Sequence, residues 1–206
     1  MFSPFFSLEN DTGVWVLRLR SADRTNRFSR ECVLALTEIA RKLSRDTRPL
    51  VITGTPDFFS VGAELREIAA LSAPAAYEFS RMGQELMYEV EQFPAPVLAA
   101  ICGYCMGGGL DLALACHWRI AAPKAVFGHR GAALGLITGW GGTQRLPRLV
   151  GKAKALEMFI AASKIDAALA LRIGLVEAVV EDPVADALHR AHAFLSRVSV
   201  DPAGCR

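Results

Sequence analysis

The sequence predicts one α/β domain, because apolar strands alternate with amphipathic helices along the chain. Residues 13–20 alternate as a strand does, and residues 29–45 place apolar side chains at helical spacing behind a serine that can cap a helix. The chain has 206 residues, of which 52% are hydrophobic, so there is enough apolar material for one core. Two full domains are not expected.

The other elements follow the same alternation. Two continuous apolar runs, residues 49–53 and 96–103, are typical of strands buried on both faces. Short strands are also expected at 118–121, 125–127 and 175–180. Helices are expected at 63–71, 74–92, 110–116, 141–150, 152–162, 165–173 and 183–198. Glycine and proline content predicts a loop at residues 54–62.

Charge and hydropathy exclude several classes of protein. Lys and Arg number 23 and Asp and Glu number 21, so the net charge of +2 gives no sign of a nucleic-acid partner. The longest apolar stretch, residues 95–110, is interrupted by glycine and proline, so no membrane span is expected. Residues 1–10 carry no basic leader or cleavage site, and we interpret the protein as cytoplasmic.

The cysteines indicate a reducing compartment. Five is an odd number for disulfide pairing, and free thiols are the simplest interpretation. One pair has CxxC spacing but no second pair to complete a metal site, so we expect no metal, with a redox role as the alternative. The five residues are Cys32, Cys102, Cys105, Cys116 and Cys205.

A glycine run, Gly107 to Gly109, lies between an expected strand and an expected helix. This arrangement presents backbone N–H groups at a helix N-terminus, which favours negative charge. The spacing fits neither the phosphate-binding loop of proteins that bind nucleoside triphosphates nor the glycine motif of dinucleotide-binding domains. The alternatives are an oxyanion hole, in which amides stabilise a developing enolate, and glycines that merely permit close packing.

Three motifs together resemble the crotonase (enoyl-CoA hydratase/isomerase) superfamily. Residues 59–66 are FSVGAELR, residues 103–111 are GYCMGGGLD, and residues 139–146 are GWGGTQRL. A fourth segment, residues 170–176, is ALRIGLV, and the resemblance extends from about residue 14 to residue 180. It implies a crotonase-like spiral of ββα units with a shortened C-terminal helical region. Residues 1–180 would form the acyl-CoA-binding core, and residues 181–206 a short helix and tail.

The resemblance also implies a ligand and an assembly. It implies an acyl-CoA thioester substrate, with coenzyme A present only as part of that substrate and no permanently bound cofactor. It implies a homotrimer or a hexamer made of two trimers, and a role in fatty acid metabolism. The two oxyanion amides fall on Ala63 and Gly108, where we expect helix N-termini.

Further substrate-binding positions follow from the resemblance. Arg66 matches a basic position that faces the CoA phosphates, and Arg24 and Arg27 lie in the turn that lines the nucleotide end; ordinary surface arginines are the alternative. Trp140 and Met106 are expected to line the acyl pocket, with core packing as the alternative. The other expected contacts are Glu64, Leu65, Tyr104, Gly107 and Gly131.

The sequence departs from the family at the acidic positions. A family hydratase uses two glutamates, because water loses a proton while carbon gains one. Here the first position is Asp111 and the second is Gly131, so the hydratase dyad is incomplete, and the isomerases that use the second glutamate are disfavoured too. Two repairs are conceivable: His129 carries the proton, or Arg130 and the Gly131 amide hold an exogenous anion, as some naphthoyl-CoA synthases hold bicarbonate. Asp111 could act as a base or orient a water molecule, and the alternatives are a non-catalytic Asp111 and a purely structural His129.

Thr138 occupies the place of a proline common in the family. Its hydroxyl could position a substrate carboxylate or a water molecule, or simply stabilise the loop. The most consistent expectation is an enzyme of the enoyl-CoA hydratase/isomerase type, a lyase or isomerase acting through an oxyanion-stabilised thioester enolate. The alternatives are a non-catalytic acyl-CoA-binding or scaffold protein and another enolate reaction such as decarboxylation.

Overall fold

The computed structural model describes residues 3–200 and has mixed α/β architecture. Within this part of the chain the strands are β1 (Phe6–Asp11), β2 (Val14–Leu19), β3 (Arg27–Phe28), β4 (Leu50–Thr53), β5 (Phe58–Ser60), β6 (Gly62–Ala63), β7 (Val97–Ile101), β8 (Tyr104–Met106), β9 (Trp118–Ala121), β10 (Val126–Gly128), β11 (Ile165–Asp166) and β12 (Ala178–Val179). The helices are α1 (Arg30–Leu43), α2 (Leu65–Ala69), α3 (Ala73–Glu91), α4 (Gly108–Ala115), α5 (Gly142–Val150), α6 (Lys152–Ala161), α7 (Ala167–Arg172) and α8 (Pro183–Val200). A short 3-10 helix spans Gly131–Leu134.

The main sheet has six strands in the order β1-β2-β4-β7-β9-β12. β1 and β2 form an antiparallel pair, and the other neighbours are parallel. Apolar side chains on its central strands point alternately to the two faces, as the period of a strand requires. Leu50 and Ile52 belong to the larger core with α1, α3 and α4, whereas Val51 and Leu98 pack with Ala187 of α8. Both faces of the sheet are therefore covered.

A smaller sheet has four strands in the order β11-β10-β8-β5. β8 and β10 are parallel, with Met106 opposite Gly128. The chain leaves these neighbouring strands at Gly107 and His129, so the parallel pairing brings the two exits together. A separate pair, β3 with β6, places Ala63 opposite Phe28.

Local signals explain the helix boundaries. Ser29 caps α1 by accepting a hydrogen bond from the Cys32 N–H, as the sequence predicted. Pro74 lies in the first turn of α3, where its missing N–H costs nothing. Gly107 precedes α4 with φ of +52°, a conformation that favours glycine.

Several sequence predictions were wrong in detail. Residues 54–62 are not only loop, because they contain β5, a strand too short to show an alternation. The helix expected over 63–71 is the five-residue α2, and the helix expected from residue 110 begins at Gly108. The strand expected over 175–180 is reduced to β12, and residue 165 begins β11 rather than a helix. Strands β1, β3, β6 and β8 were not predicted from the sequence, whereas the helices α1, α3, α5, α6 and α8 are confirmed.

Over residues 3–200, no helix is both long and apolar enough to cross a membrane. The described cysteines, Cys32, Cys102, Cys105 and Cys116, are all free thiols. Cys205 lies outside the described residues. Burial raises the pKa of the Cys32 and Cys116 thiols to about 12, so both are held in the protonated form.

Candidate active site

A cavity of about 610 Å³ lies between the smaller sheet, the start of α4 and the segment that precedes α5. Most of the predicted site residues border it. They are Ala63, Leu65, Tyr104, Met106, Gly107, Gly108, Asp111, His129, Gly131 and Trp140. Residues from α2, β8, α4 and the segment that follows β10 thus meet at one place, although they are far apart in the sequence.

Two backbone amides border this cavity side by side. Gly108 is the first residue of α4, so its N–H has no acceptor within the helix. Ala63 belongs to β6, and its amide nitrogen lies 3.5 Å from the point that a Cβ on Gly108 would occupy. The expectation of two helix N-termini was wrong for Ala63, which lies two residues before α2. The two amides are nevertheless neighbours, and two such donors can hold an oxyanion.

Trp140 explains why residue 108 is glycine. A Cβ on Gly108 would overlap the six-membered part of the Trp140 ring. The indole is buried, packs against Phe28 and Phe79, and donates its Nε1–H to the Phe79 carbonyl oxygen. Trp140 therefore both borders the cavity and packs in the core, the two alternatives that the sequence left open.

Asp111 lies in the first turn of α4 with its side chain buried. The Thr138 hydroxyl donates a hydrogen bond to Asp111 Oδ2, and the backbone N–H of Gly142 at the start of α5 lies near enough to lower the pKa of the carboxyl. Burial raises the pKa of Asp111 from its ordinary value of 3.8 to about 7, although these donors and the charge of Arg145 oppose the rise. The carboxyl can therefore gain or lose a proton near neutral pH.

His129 lies beside Asp111 at the end of β10. Its Nε2 atom is 3.4 Å from Asp111 Oδ1, and its ring packs on Phe159 at a centroid distance of 5.2 Å. Among the described residues, neither Nε2 nor Oδ1 has a hydrogen-bond partner in this arrangement. Burial lowers the pKa of His129 from 6.5 to about 4, so the imidazole is neutral at pH 7.

The turn at Gly131 leaves no room for a second acidic side chain. The Leu136 N–H donates to the Gly131 carbonyl at 2.9 Å and closes the turn. A Cβ on Gly131 would lie 2.8 Å from the Leu136 carbonyl oxygen. The turn therefore disfavours any side chain at residue 131, and not only a carboxylate.

The predicted phosphate-binding residues do not border the cavity. Arg27 pairs with Asp23 at 3.3 Å and with Glu64 at 3.5 Å, and the Glu64 side chain caps α2. Arg24 and Arg66 are exposed to solvent. Their contact with CoA stays a prediction.

Basic side chains that do border the cavity are Arg130 and Lys164, both exposed. The Lys164 Nζ lies 5.2 Å above the Tyr104 ring. Of these two, only Arg130 was a candidate from the sequence, as a residue that could hold an anion. Lys164 carries no local signal, because its place beside Tyr104 depends on the chain returning to the smaller sheet through β11.

Comparison with known proteins identifies the family. A family model described as enoyl-CoA hydratase/isomerase matches residues 9–201. This chain belongs to the enoyl-CoA hydratase/isomerase family. Its fold is accordingly crotonase-like, as predicted.

Solved structures of several members of the enoyl-CoA hydratase/isomerase family and related proteins resemble this chain over most of its length. Pseudomonas aeruginosa DspI is 36% identical with a TM-score of 0.87, covering 97% of this chain and 82% of that chain. An enoyl-CoA hydratase from Bacillus anthracis is 35% identical with a TM-score of 0.84, covering 95% and 76%. An enoyl-CoA hydratase from Thermoplasma volcanium is 27% identical with a TM-score of 0.85, covering 97% and 94%.

Two features of the site in this family member were not foreseen. Gly142 lies against the buried pair: a Cβ there would overlap Asp111 Oδ1 and lie 3.0 Å from His129 Nε2. An apolar wall from α2 and the segment before α5 also borders the cavity, including Ile68, Leu134 and Ile137. Three large apolar residues, Leu134, Leu136 and Ile137, lie within a glycine-rich segment and were a usable signal for this wall.

Proposed function

We propose that this protein binds an acyl-CoA thioester and moves a proton at its α-carbon through an enolate, with Asp111 as the proton carrier. One observation carries the proposal. The amides of Ala63 and Gly108 border the same cavity as a buried carboxyl whose pKa is about 7. Coenzyme A enters only as part of the substrate.

The geometry supports a simple first step. The thioester carbonyl oxygen accepts hydrogen bonds from the two amides, and the adjacent α-carbon faces Asp111. When the carboxylate takes the α-proton, the C–H bond breaks and its electron pair moves into the enolate, whose oxygen carries the negative charge. Loss of one such amide donor typically costs about 3 to 4 kcal/mol of transition-state stabilisation.

Hydration, double-bond isomerisation and decarboxylation of acyl-CoA substrates all pass through this enolate. Asp111 can serve each as the group that gives or takes a proton at carbon. A second carboxylate for the proton of water is absent at Gly131, so we propose the enolate step as the defining activity. The apolar wall supports an acyl chain as the part of the substrate that lies along α2.

The closed turn at Gly131 favours one competing candidate, an acyl-CoA-binding protein that does no chemistry. Both candidates predict binding of a CoA thioester. Only the enzyme exchanges α-protons with solvent, because exchange needs both the oxyanion donors and a base.

Proton exchange in deuterium oxide distinguishes the two. We expect the wild-type protein to exchange the α-protons of butyryl-CoA or octanoyl-CoA, followed by proton NMR, and Asp111→Asn to abolish this while still binding the thioester by calorimetry. Asp186→Asn is the matched control, because Asp186 lies in α8 and pairs with Arg190 on the outer surface. Thioester binding by the wild-type protein without exchange would leave the binding protein as the function.

The same proposal includes an assembly and a cellular role. Large apolar side chains of α5 and α6 are exposed, among them Leu149, Leu156 and Ile160. These exposed apolar side chains support a homotrimer or a hexamer in which they are buried between subunits. The proposed role is in fatty acid metabolism in the cytoplasm. Light scattering coupled to gel filtration should give the mass of three or six chains. A monomer of 22.3 kDa at micromolar concentration would contradict the assembly.

A further inference from the structure

The arrangement around Asp111 leaves one of its oxygens and one nitrogen of His129 without partners. Oδ2 accepts from Thr138, whereas Oδ1 and His129 Nε2 face each other at 3.4 Å. The exposed fractions of the two side chains are 4% for His129 and 2% for Asp111, so solvent does not satisfy these atoms. A buried polar atom without a hydrogen bond is costly, which favours pairing of His129 Nε2 with Asp111 Oδ1.

We propose that His129 is a positioning residue for Asp111, donating its Nε2–H to Oδ1 so that the carboxylate is held between His129 and Thr138. This role rests on the proposed function of Asp111 as the proton carrier. The proposed bond requires Nε2 and Oδ1 to approach slightly closer than their 3.4 Å separation and to align in the unliganded protein. The ring also packs against Phe159, which restricts its movement.

The groups around the pair are consistent with donation by a neutral imidazole. The groups near Asp111 are the Thr138 hydroxyl and, from α5, the Gly142 N–H and the charge of Arg145. The protonated Cys105 thiol of β8 is a further neighbour. Arg145 is itself neutralised in part by Glu91 of α3 at 2.6 Å. Within the described residues, Asp111 is the acidic side chain in contact with His129. No other base there competes for the Nε2–H of the imidazole.

Such a donor stabilises the carboxylate and lowers the pH at which Asp111 loses its proton. Replacement of His129 by phenylalanine keeps a flat ring against Phe159 but removes the donor. Replacement by glutamine retains an N–H group close to the position of Nε2. A purely structural role for the ring predicts no difference between these variants in the titration of Asp111.

The test follows the Asp111 carboxyl by carbon-13 NMR in the unliganded protein. We expect the titration midpoint of Asp111 to rise by about one pH unit in His129→Phe and to return to within a few tenths of the wild-type value in His129→Gln. The α-proton exchange profile should move in the same direction. A folded His129→Phe protein with the wild-type midpoint would overturn the proposal.

Nitrogen-15 NMR of the wild-type ring gives a second measurement that needs no variant to fold. We expect a neutral His129 ring with its proton on Nε2 at pH 8 to 9, where Asp111 is ionised. A proton on Nδ1 instead would overturn the proposal, because Nε2 would then have nothing to donate. Both NMR measurements are independent of catalysis, so an absence of α-proton exchange would defeat the proposed function and leave the role of His129 to be decided separately.

Discussion

Replacing Asp111 by asparagine should stabilise the protein at neutral and alkaline pH while abolishing its activity. Asn has nearly the same shape as Asp and can still accept the Thr138 hydrogen bond through its amide oxygen. It carries no charge, however, so it avoids the cost of an ionised group whose side chain is only 2% exposed. Asp111 is therefore expected to lower the free energy of unfolding of the wild-type protein relative to that of the asparagine variant.

The size and pH window of this effect follow from the pKa of Asp111. Folding raises that pKa from 3.8 to about 7, so between these values the native state holds a proton that the unfolded chain has lost. Stability contributed by Asp111 is thus complete below pH 4 and falls as pH rises to 7. At about 1.4 kcal/mol per pH unit, the loss is about 4 kcal/mol at pH 8 and less than half of that at pH 5.

Urea unfolding of the wild type and Asp111→Asn at pH 5 and pH 8 measures this difference. The advantage of the variant should grow by about 2 to 3 kcal/mol between the two pH values. His129, whose pKa is lowered to about 4, destabilises the native state as pH falls below 6.5, but it does so in both proteins and drops out of the comparison. An advantage that is absent, or equal at both pH values, would refute the reasoning, and Asp186→Asn should show none.

Four further substitutions test other parts of the site. Thr138→Val removes a donor to the carboxylate and should raise the midpoint of the α-proton exchange profile by about one pH unit. Gly108→Ala pushes a methyl group into the indole beneath it and should reduce the exchange rate by at least about 100-fold. Gly131→Glu should lower stability to urea by about 1 to 3 kcal/mol without restoring hydration of crotonyl-CoA, followed by ultraviolet absorbance, because the turn is closed. Ser29→Ala should cost about 1 kcal/mol in the same unfolding assay and leave exchange unchanged, whereas a changed exchange rate would contradict the cap as its sole role.

The fold was predictable where the pattern is long. Nineteen residues of helical periodicity with a proline in the first turn predicted α3 nearly to its ends. Strands of two or three residues, such as β5 and β11, are too short to show a period, and only their partners in the sheet define them. For this reason residues 54–62 were predicted as a loop, although they contain β5 and the first residue of β6.

The candidate site was predictable as a set of residues but not as a set of contacts. The motifs pointed to Asp111 and His129 separately. Their 3.4 Å approach depends on the parallel pairing of β8 with β10, which no local pattern reports. Likewise, the contact of Thr138 with Asp111 depends on the path of an irregular segment, and the spacing of residues gives no measure of that path.

Much of the site consists of backbone, and this reverses the usual meaning of an alanine scan. At Ala63 the scan changes nothing, and at Gly108 and Gly142 it adds an atom that overlaps Trp140 or Asp111 rather than removing a contact. The positions sensitive to alanine should therefore include those whose native residue has no side chain. The contribution of their backbone amides is invisible to truncation, and only a shift of the main chain would reveal it.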